Sequence, residues 1–381
     1  MPCPGTGPGG GVTIEGNNAN IITSSQAMRF IISTQLPLGM LAVARASVEK
    51  AGHDGWIPVI MTGLLVVMSQ FLIIKLCSRF GGESVLEIVG SLFGKYLGFI
   101  FKLVLIGYVA FATAVNIRYF TLVVSVWFFS STPLWILTVL LISTSVYLVF
   151  KGLKGICRFD SIIFLIILIT IFLLGYGFLK IKPTLLMPVG SCGLGGAIAG
   201  IPSCAFSYMG FETLLFIFPY IKDKQNAKKF ILWGEGITIA VYTAIALVAV
   251  GIFGENYIME RQLILTSLAK LIRFPVFERI DLYFYALWIP GMILCVTSYL
   301  FCSFNSIKKT FRVKSSLPLL AVLVLALLIA SGYTEDVNAM MKISHLAGFM
   351  SYGVGIVLPV LLLLLAWILK KGGKKKHGKT L

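Results

Sequence analysis

Charge is scarce in this chain. Asp, Glu, Lys and Arg make up 12% of its 381 residues, against about 25% in a typical soluble domain. So little charge cannot cover a folded chain in water, which excludes an ordinary soluble globular protein. The seven cysteines (Cys3, Cys77, Cys157, Cys192, Cys204, Cys295 and Cys302) contain no C-x-x-C pair, and His53, His345 and His377 stand far apart. That spacing supports neither a metal site nor a disulfide framework. No Ser/His/Asp or Cys/His set suggests an enzyme. The glycine-rich stretch "GTGPGGG" (Gly5 to Gly11) is not followed by the Gly-Lys-Ser/Thr of a phosphate loop. Neither catalysis nor a cofactor is expected. The first 20 residues lack the basic start and apolar core of a cleaved signal peptide.

Apolar residues, by contrast, are abundant. They make up 58% of the chain, with a mean hydropathy of +0.94. A hydrocarbon core takes roughly 20 apolar residues per helix. On that rule ten segments are expected to span a bilayer: 26–48, 56–77, 97–127, 133–150, 160–180, 196–218, 230–253, 281–306, 317–333 and 347–370. The fold class is therefore an all-α polytopic membrane protein, with a flexible tail over 1–25, a membrane domain over 26–370 and a basic tail over 371–381. The formal net charge of +17 would suggest nucleic acid in a soluble protein; here its distribution reports topology instead. With the N-terminus inside, twenty Lys and Arg fall on inner loops and the tail, and eight on outer segments. Positive charge stays inside, so both termini are expected in the cytoplasm. The tail "KKGGKKKHGKT" also favours anionic lipid. The outer segment 254–280 reads as an interfacial helix lying over the mouth of the bundle.

Two segments carry helix-breaking residues. In "STQLPLGML" (Ser33 to Leu41), Pro37 lacks an N–H and Gly39 tolerates non-helical backbone. This predicts two half-helices, with the amides of Leu38, Gly39 and Met40 unpaired at a helix start. In "SYMGFE" (Ser207 to Glu212), an outer piece is expected to end near Tyr208 or Met209 and Gly210 to open the backbone. Matched interruptions in the first and sixth of ten spans are the pattern of an inverted repeat, here 26–180 against 196–370, around a central small-molecule site. The expected ligand-binding residues are Thr34, Gln35, Pro37, Leu38, Gly39, Tyr108, Ala112, Ser207, Tyr208, Gly210, Phe211 and Trp288. Tyr108 and Ala112 share one helix face with Asn116.

Glu212 is the most pointed of these signals. An ionisable residue at that depth costs about 2.5–3.5 kcal/mol on insertion scales. Two roles stand open for it: a partner for a ligand amine or a proton-sensitive switch, or a structural carboxylate that accepts hydrogen bonds from the unwound backbone. Glu235, early in the seventh span, reads as a gating or structural charge.

Three stretches, "TQLPLGML…EKAGHDGWIPVI", "GFETLLFIFPYI" and "FPVFERIDLYFYALW", together resemble the spore germination permease family, the B subunits of nutrient germinant receptors. The resemblance runs from about Thr23 to Leu369. It implies membership of the amino acid–polyamine–organocation superfamily, with a leucine-transporter-like five-plus-five fold. It also implies recognition of a nutrient, such as an amino acid, sugar or nucleoside, in the spore inner membrane, together with A and C subunits. The family's usual Gly-x-Gly at the first interruption stands here as Pro37-Leu38-Gly39. The fifth span has no mid-membrane lysine of the kind that carries coupling in proton-driven carriers of the superfamily. Sensing is thus expected ahead of coupled transport, the alternative being a proton- or sodium-coupled amino acid transporter.

Overall fold

The computed structural model describes residues 20–129, 131–261, 264–271, 280–313, 316–332 and 337–372. Within them the chain forms thirteen α-helices: α1 (Ser24–Ala51), α2 (Trp56–Arg79), α3 (Val85–Trp127), α4 (Leu134–Phe150), α5 (Gly152–Gly175), α6 (Gly193–Ser203), α7 (Leu214–Ile217), α8 (Lys224–Glu260), α9 (Ile264–Leu271), α10 (Ile280–Phe311), α11 (Ser316–Ser331), α12 (Val337–Tyr352) and α13 (Leu358–Ile368). Among the described residues six helical stretches are long and apolar enough to cross a bilayer; α4 and the first part of α5 (Gly152–Phe164), bent by 118° to each other, reach that length only when taken together. Large apolar side chains such as Leu64, Met68, Trp135, Val322 and Ile329 point outward. An apolar outer surface of that extent suits hydrocarbon rather than water. Most of the N-terminal tail, most of the basic tail and the stretch from Arg273 to Arg279 lie outside the described residues.

Local sequence sets the helix boundaries. Thr23 opens α1 with a capping box: its side chain accepts from the Gln26 amide at 3.2 Å and its own amide donates to Gln26 Oε1 at 2.9 Å. Ser84 and Glu87 repeat the device at α3, satisfying amides that have no partner within the helix. Glycines at positive φ, Gly94 (77°) and Gly254 (73°), turn the chain inside α3 and near the end of α8. Of the expected interfacial helix, α9 is described, and it buries Ile264, Leu265 and Leu268.

Two expectations about the first span are corrected. Residues 20–23 are not part of a loose tail. Ile22 forms a parallel bridge with Ile221, its N–H donating to the Tyr220 carbonyl and its own carbonyl accepting from the Lys222 N–H, both at 2.9 Å. More importantly, α1 is continuous from Ser24 to Ala51, with Pro37 inside it. The expected pair of half-helices is absent, and with it the helix start at Leu38, Gly39 and Met40. The setting is tertiary. Carbonyls near the proline receive donors from other helices: Tyr242 Oη on α8 donates to the Gln35 carbonyl at 2.8 Å, and Trp288 Nε1 on α10 donates to the Pro37 carbonyl at 2.6 Å. Proline is tolerated within membrane helices where neighbours satisfy the backbone in this way.

The sixth span is interrupted, though earlier than expected: α6 ends at Ser203 rather than near Tyr208. Residues 204–210 wind through tight turns, including bonds from the Ser207 amide to the Cys204 carbonyl and from the Met209 amide to the Phe206 carbonyl. Gly210, at φ 126°, then reverses the backbone into the short helical pieces 211–220. α1 is tied to this broken element at three levels. Beyond its C-terminal end, Asp54 accepts from the amides of Gly190 and Cys192 at 2.9 and 3.0 Å. At mid-length the single Tyr242 hydroxyl proton is shared between the Gln35 and Ser207 carbonyl oxygens, each 2.8 Å from Oη. At its N-terminal end Ser24 donates to Asp223 Oδ1.

Candidate functional site

The site lies where α1 crosses the turns between α6 and α7. Gly39 permits the crossing: a Cβ there would collide with the Tyr242 hydroxyl and the Ser207 carbonyl oxygen. Its role is close approach, not a broken backbone. Gly210 faces the same contact from the other side, where a Cβ would lie 3.0 Å from Gln35 and 3.1 Å from Thr34. Thr34, Gln35, Leu38, Ser207, Tyr208, Phe211 and Trp288 are all buried here. Thr34 Oγ1 donates to the Phe30 carbonyl at 2.6 Å, Gln35 Nε2 to the Tyr208 carbonyl at 3.2 Å, and Tyr208 Oη to the Val59 carbonyl at 2.9 Å. The expected residues on α1, on the interruption and on α10 thus converge. Ala112, on α3, is also buried, and its carbonyl accepts from Asn116 Nδ2 at 2.8 Å.

Glu212 is fully buried and fully partnered. Oε1 accepts from Tyr108 Oη on α3 and Tyr299 Oη on α10, each at 2.6 Å; Oε2 accepts from the Gly210 amide at 3.0 Å and from Ser351 Oγ on α12 at 2.9 Å. A carboxylate offers about four acceptor positions, and here all four are taken. Buried charge is tolerated where such donors replace water. One side chain therefore binds the loosened backbone to three helices that are distant in sequence. Directly after α12 a π-turn, Gly353–Val357, displaces the helix path. Its Gly355 leaves room for the Phe211 ring and accepts from Ser69 Oγ.

Glu235 lies on α8 with Thr238 and Tyr242, three and seven residues further along the same helix face. Glu235 Oε2 accepts from Gln35 Nε2 at 3.2 Å and from Gln70 Nε2 on α2 at 2.7 Å; Thr238 Oγ1 donates to Gln35 Oε1 at 3.3 Å. Gln35 is consequently read on every side, by Glu235, Thr238, Tyr242 and the Tyr208 carbonyl. A further buried pair joins α1 to α5, where Ser33 Oγ donates to Asp160 Oδ1 at 2.5 Å.

Sequence reasoning missed Tyr299, Ser351, Gln70 and Tyr242. Helical spacing from Glu235 could have found Tyr242. Nothing local marks Ser351 or Gln70, which reach the site only through packing. Among the described residues no cluster of metal-ligating side chains occurs.

Residues 21–340 match the family described as spore germination protein. The chain belongs to that family. Spore germination protein GerQB of Bacillus cereus is 25% identical over 338 residues, 88% of this chain and 92% of its own length. Spore germination protein YndE of Bacillus subtilis (strain 168) is 25% identical over 359 residues, 93% and 98% of the two lengths. Among solved structures, that of MhsT in complex with L-phenylalanine matches with a TM-score of 0.55 at 13% identity, covering 91% of this chain and 99% of that one. The fold is shared with MhsT, and in this spore germination family member it surrounds the interruption at Gly210.

Proposed function

We propose that this chain is the nutrient-sensing subunit of a spore germination receptor. It binds a small molecule, an amino acid being the favoured class, where α1 crosses the α6–α7 interruption, and it signals to A and C subunits. The supporting observation is the Glu212 knot. α3, α10, α12 and the broken backbone meet on one carboxylate, so a ligand that displaces even one of its donors alters how four elements pack. A ligand shifts such an equilibrium only by its differential affinity for the two arrangements. Tyr108 and Tyr299 are the donors whose exchange for a ligand group would release α3 or α10. In this reading the chain crosses the spore inner membrane ten times as two inverted repeats, with both termini cytoplasmic.

The test is thermal unfolding of the purified chain with candidate nutrients. A ligand at a hundred times its Kd adds about 2.7 kcal/mol; no stabilisation by any nutrient that triggers spores carrying this receptor would sink the proposal. The fold shared with MhsT favours a second reading, a proton- or sodium-coupled amino acid transporter. Gradient-driven accumulation of an amino acid in proteoliposomes would select it.

A further inference from the structure

Glu235 and Gln70 form an incomplete pair. One hydrogen bond joins them, Gln70 Nε2 to Glu235 Oε2 at 2.7 Å. The other terminal atom of each group, Glu235 Oε1 and Gln70 Oε1, has no hydrogen-bond partner, and both side chains are buried. Both leftover atoms are acceptors when the carboxyl is ionised. Turning the Gln70 amide over does not help, since it would set an amide oxygen 2.7 Å from Oε2 instead. One proton resolves either arrangement: a neutral carboxylic acid offers one donor beside one acceptor and matches a primary amide.

The charges around Glu235 agree. α1 faces it with Gln35 and α2 with Gln70, both neutral. The titratable groups near it are Tyr208 of the interruption and Tyr242 on its own helix. Among the described residues no ion pair joins it to a basic side chain. Glu212 shows the contrasting case, a buried carboxyl with partners on both oxygens. Glu235 has donors on one oxygen only. A buried carboxyl without compensation takes up a proton rather than keep its charge.

The geometry points to Glu235 as a proton-binding site, held as the neutral acid by pairing with the Gln70 amide, and coupled through Gln35 to the α1 crossing. Gln35 Nε2 is shared between Glu235 Oε2 and the Tyr208 carbonyl, both at 3.2 Å, so deprotonation pulls Gln35 toward the new charge and away from the interruption. The packed arrangement holds this proton, and alkaline pH therefore disfavours it. The link to nutrient binding rests on the proposed function; the protonation state does not.

Infrared difference spectroscopy on the purified full chain at pH 7 tests it. Subtracting the Glu235→Gln spectrum from the wild-type spectrum should show one protonated-carboxyl C=O band. Gln70→Leu should move that band to higher frequency, because the acid loses its amide partner. A lost carboxylate band in place of the acid band would mean an ionised Glu235 and overturn the proposal. If Glu235→Gln does not accumulate as folded protein, Gln70→Leu carries the test alone, and an unmoved acid band overturns the pairing. Failure of nutrients to stabilise the chain while the acid band is present would reject the sensing role and leave the proton site standing.

Discussion

Two glutamates lie buried in the same helical core and are held in opposite ways. Glu212 receives donors on both oxygens from four elements, while Glu235 receives two amide donors on one oxygen and none on the other. Burial is alike and the partners differ, so burial does not decide the role. A carboxyl with partners on both oxygens works as a knot. A buried carboxyl with one oxygen left unpartnered is, on our proposal, suited to a proton.

The sharpest way to break this comparison is the same substitution at both positions. Glu212→Gln puts an amide donor against groups that themselves donate. Removing one partner of a buried charged network costs about 3–5 kcal/mol, and the loss should appear as a large fall in unfolding temperature and as loss of nutrient response. Glu235→Gln replaces one neutral group with another of the same shape and should change stability by less than about 1 kcal/mol. Equal losses in chemical denaturation would erase the distinction. Next in size are Tyr299→Phe and Tyr108→Phe. Each deletes one donor to a charged acceptor, worth about 1.5–3 kcal/mol, and the double variant should fall short of additivity because both donors share Oε1.

The crossing itself gives a third measurement. Gly39→Ala forces the Tyr242 hydroxyl and the Ser207 carbonyl apart, an overpacking of about 1–3 kcal/mol. Nutrient-induced stabilisation should disappear although membrane insertion persists. A fully responsive variant would place the ligand elsewhere. The smallest effect is expected at the N-terminal end of α1. Burial raises the Asp223 carboxyl, but the Ser24 amide and nearby hydrogen bonds outweigh this and leave it below its ordinary value. A depressed carboxyl contributes stability that is present above an unfolded pKa of about 3.9 and is lost as pH falls below it. The charge also faces a helix N-terminus, worth about 0.3–1 kcal/mol. Asp223→Asn should therefore weaken hydrogen-exchange protection of the Ile22–Ile221 bridge at pH 7 and match wild type under acid.

Much of the candidate site was readable from the residues. Gly210 beside Glu212 marked an interruption because glycine alone accepts a φ of 126° readily and a lone carboxyl at that depth demands donors. Pro37 misled for the same kind of reason. Its missing N–H is a local fact, but the helix runs on through it in a packed setting, where Tyr242 and Trp288, from helices more than 200 residues away, donate to carbonyls beside the proline. Glu212 stood out in the sequence as a lone carboxyl in an apolar run, and the donors that surround it, Tyr108, Tyr299 and Ser351, come from helices that no local pattern links to it.

The sequence by itself determined that this chain belongs in a bilayer, that it is helical and that its sixth apolar segment is interrupted ahead of Glu212, since hydropathy and backbone sterics act within a few residues. Only the tertiary structure decided that α1 runs unbroken through its proline and which carboxyl is a knot and which is suited to a proton. Those outcomes turn on where hydroxyls and amides from distant helices land, and hydrogen bonding across a core has no signature in any short stretch of chain.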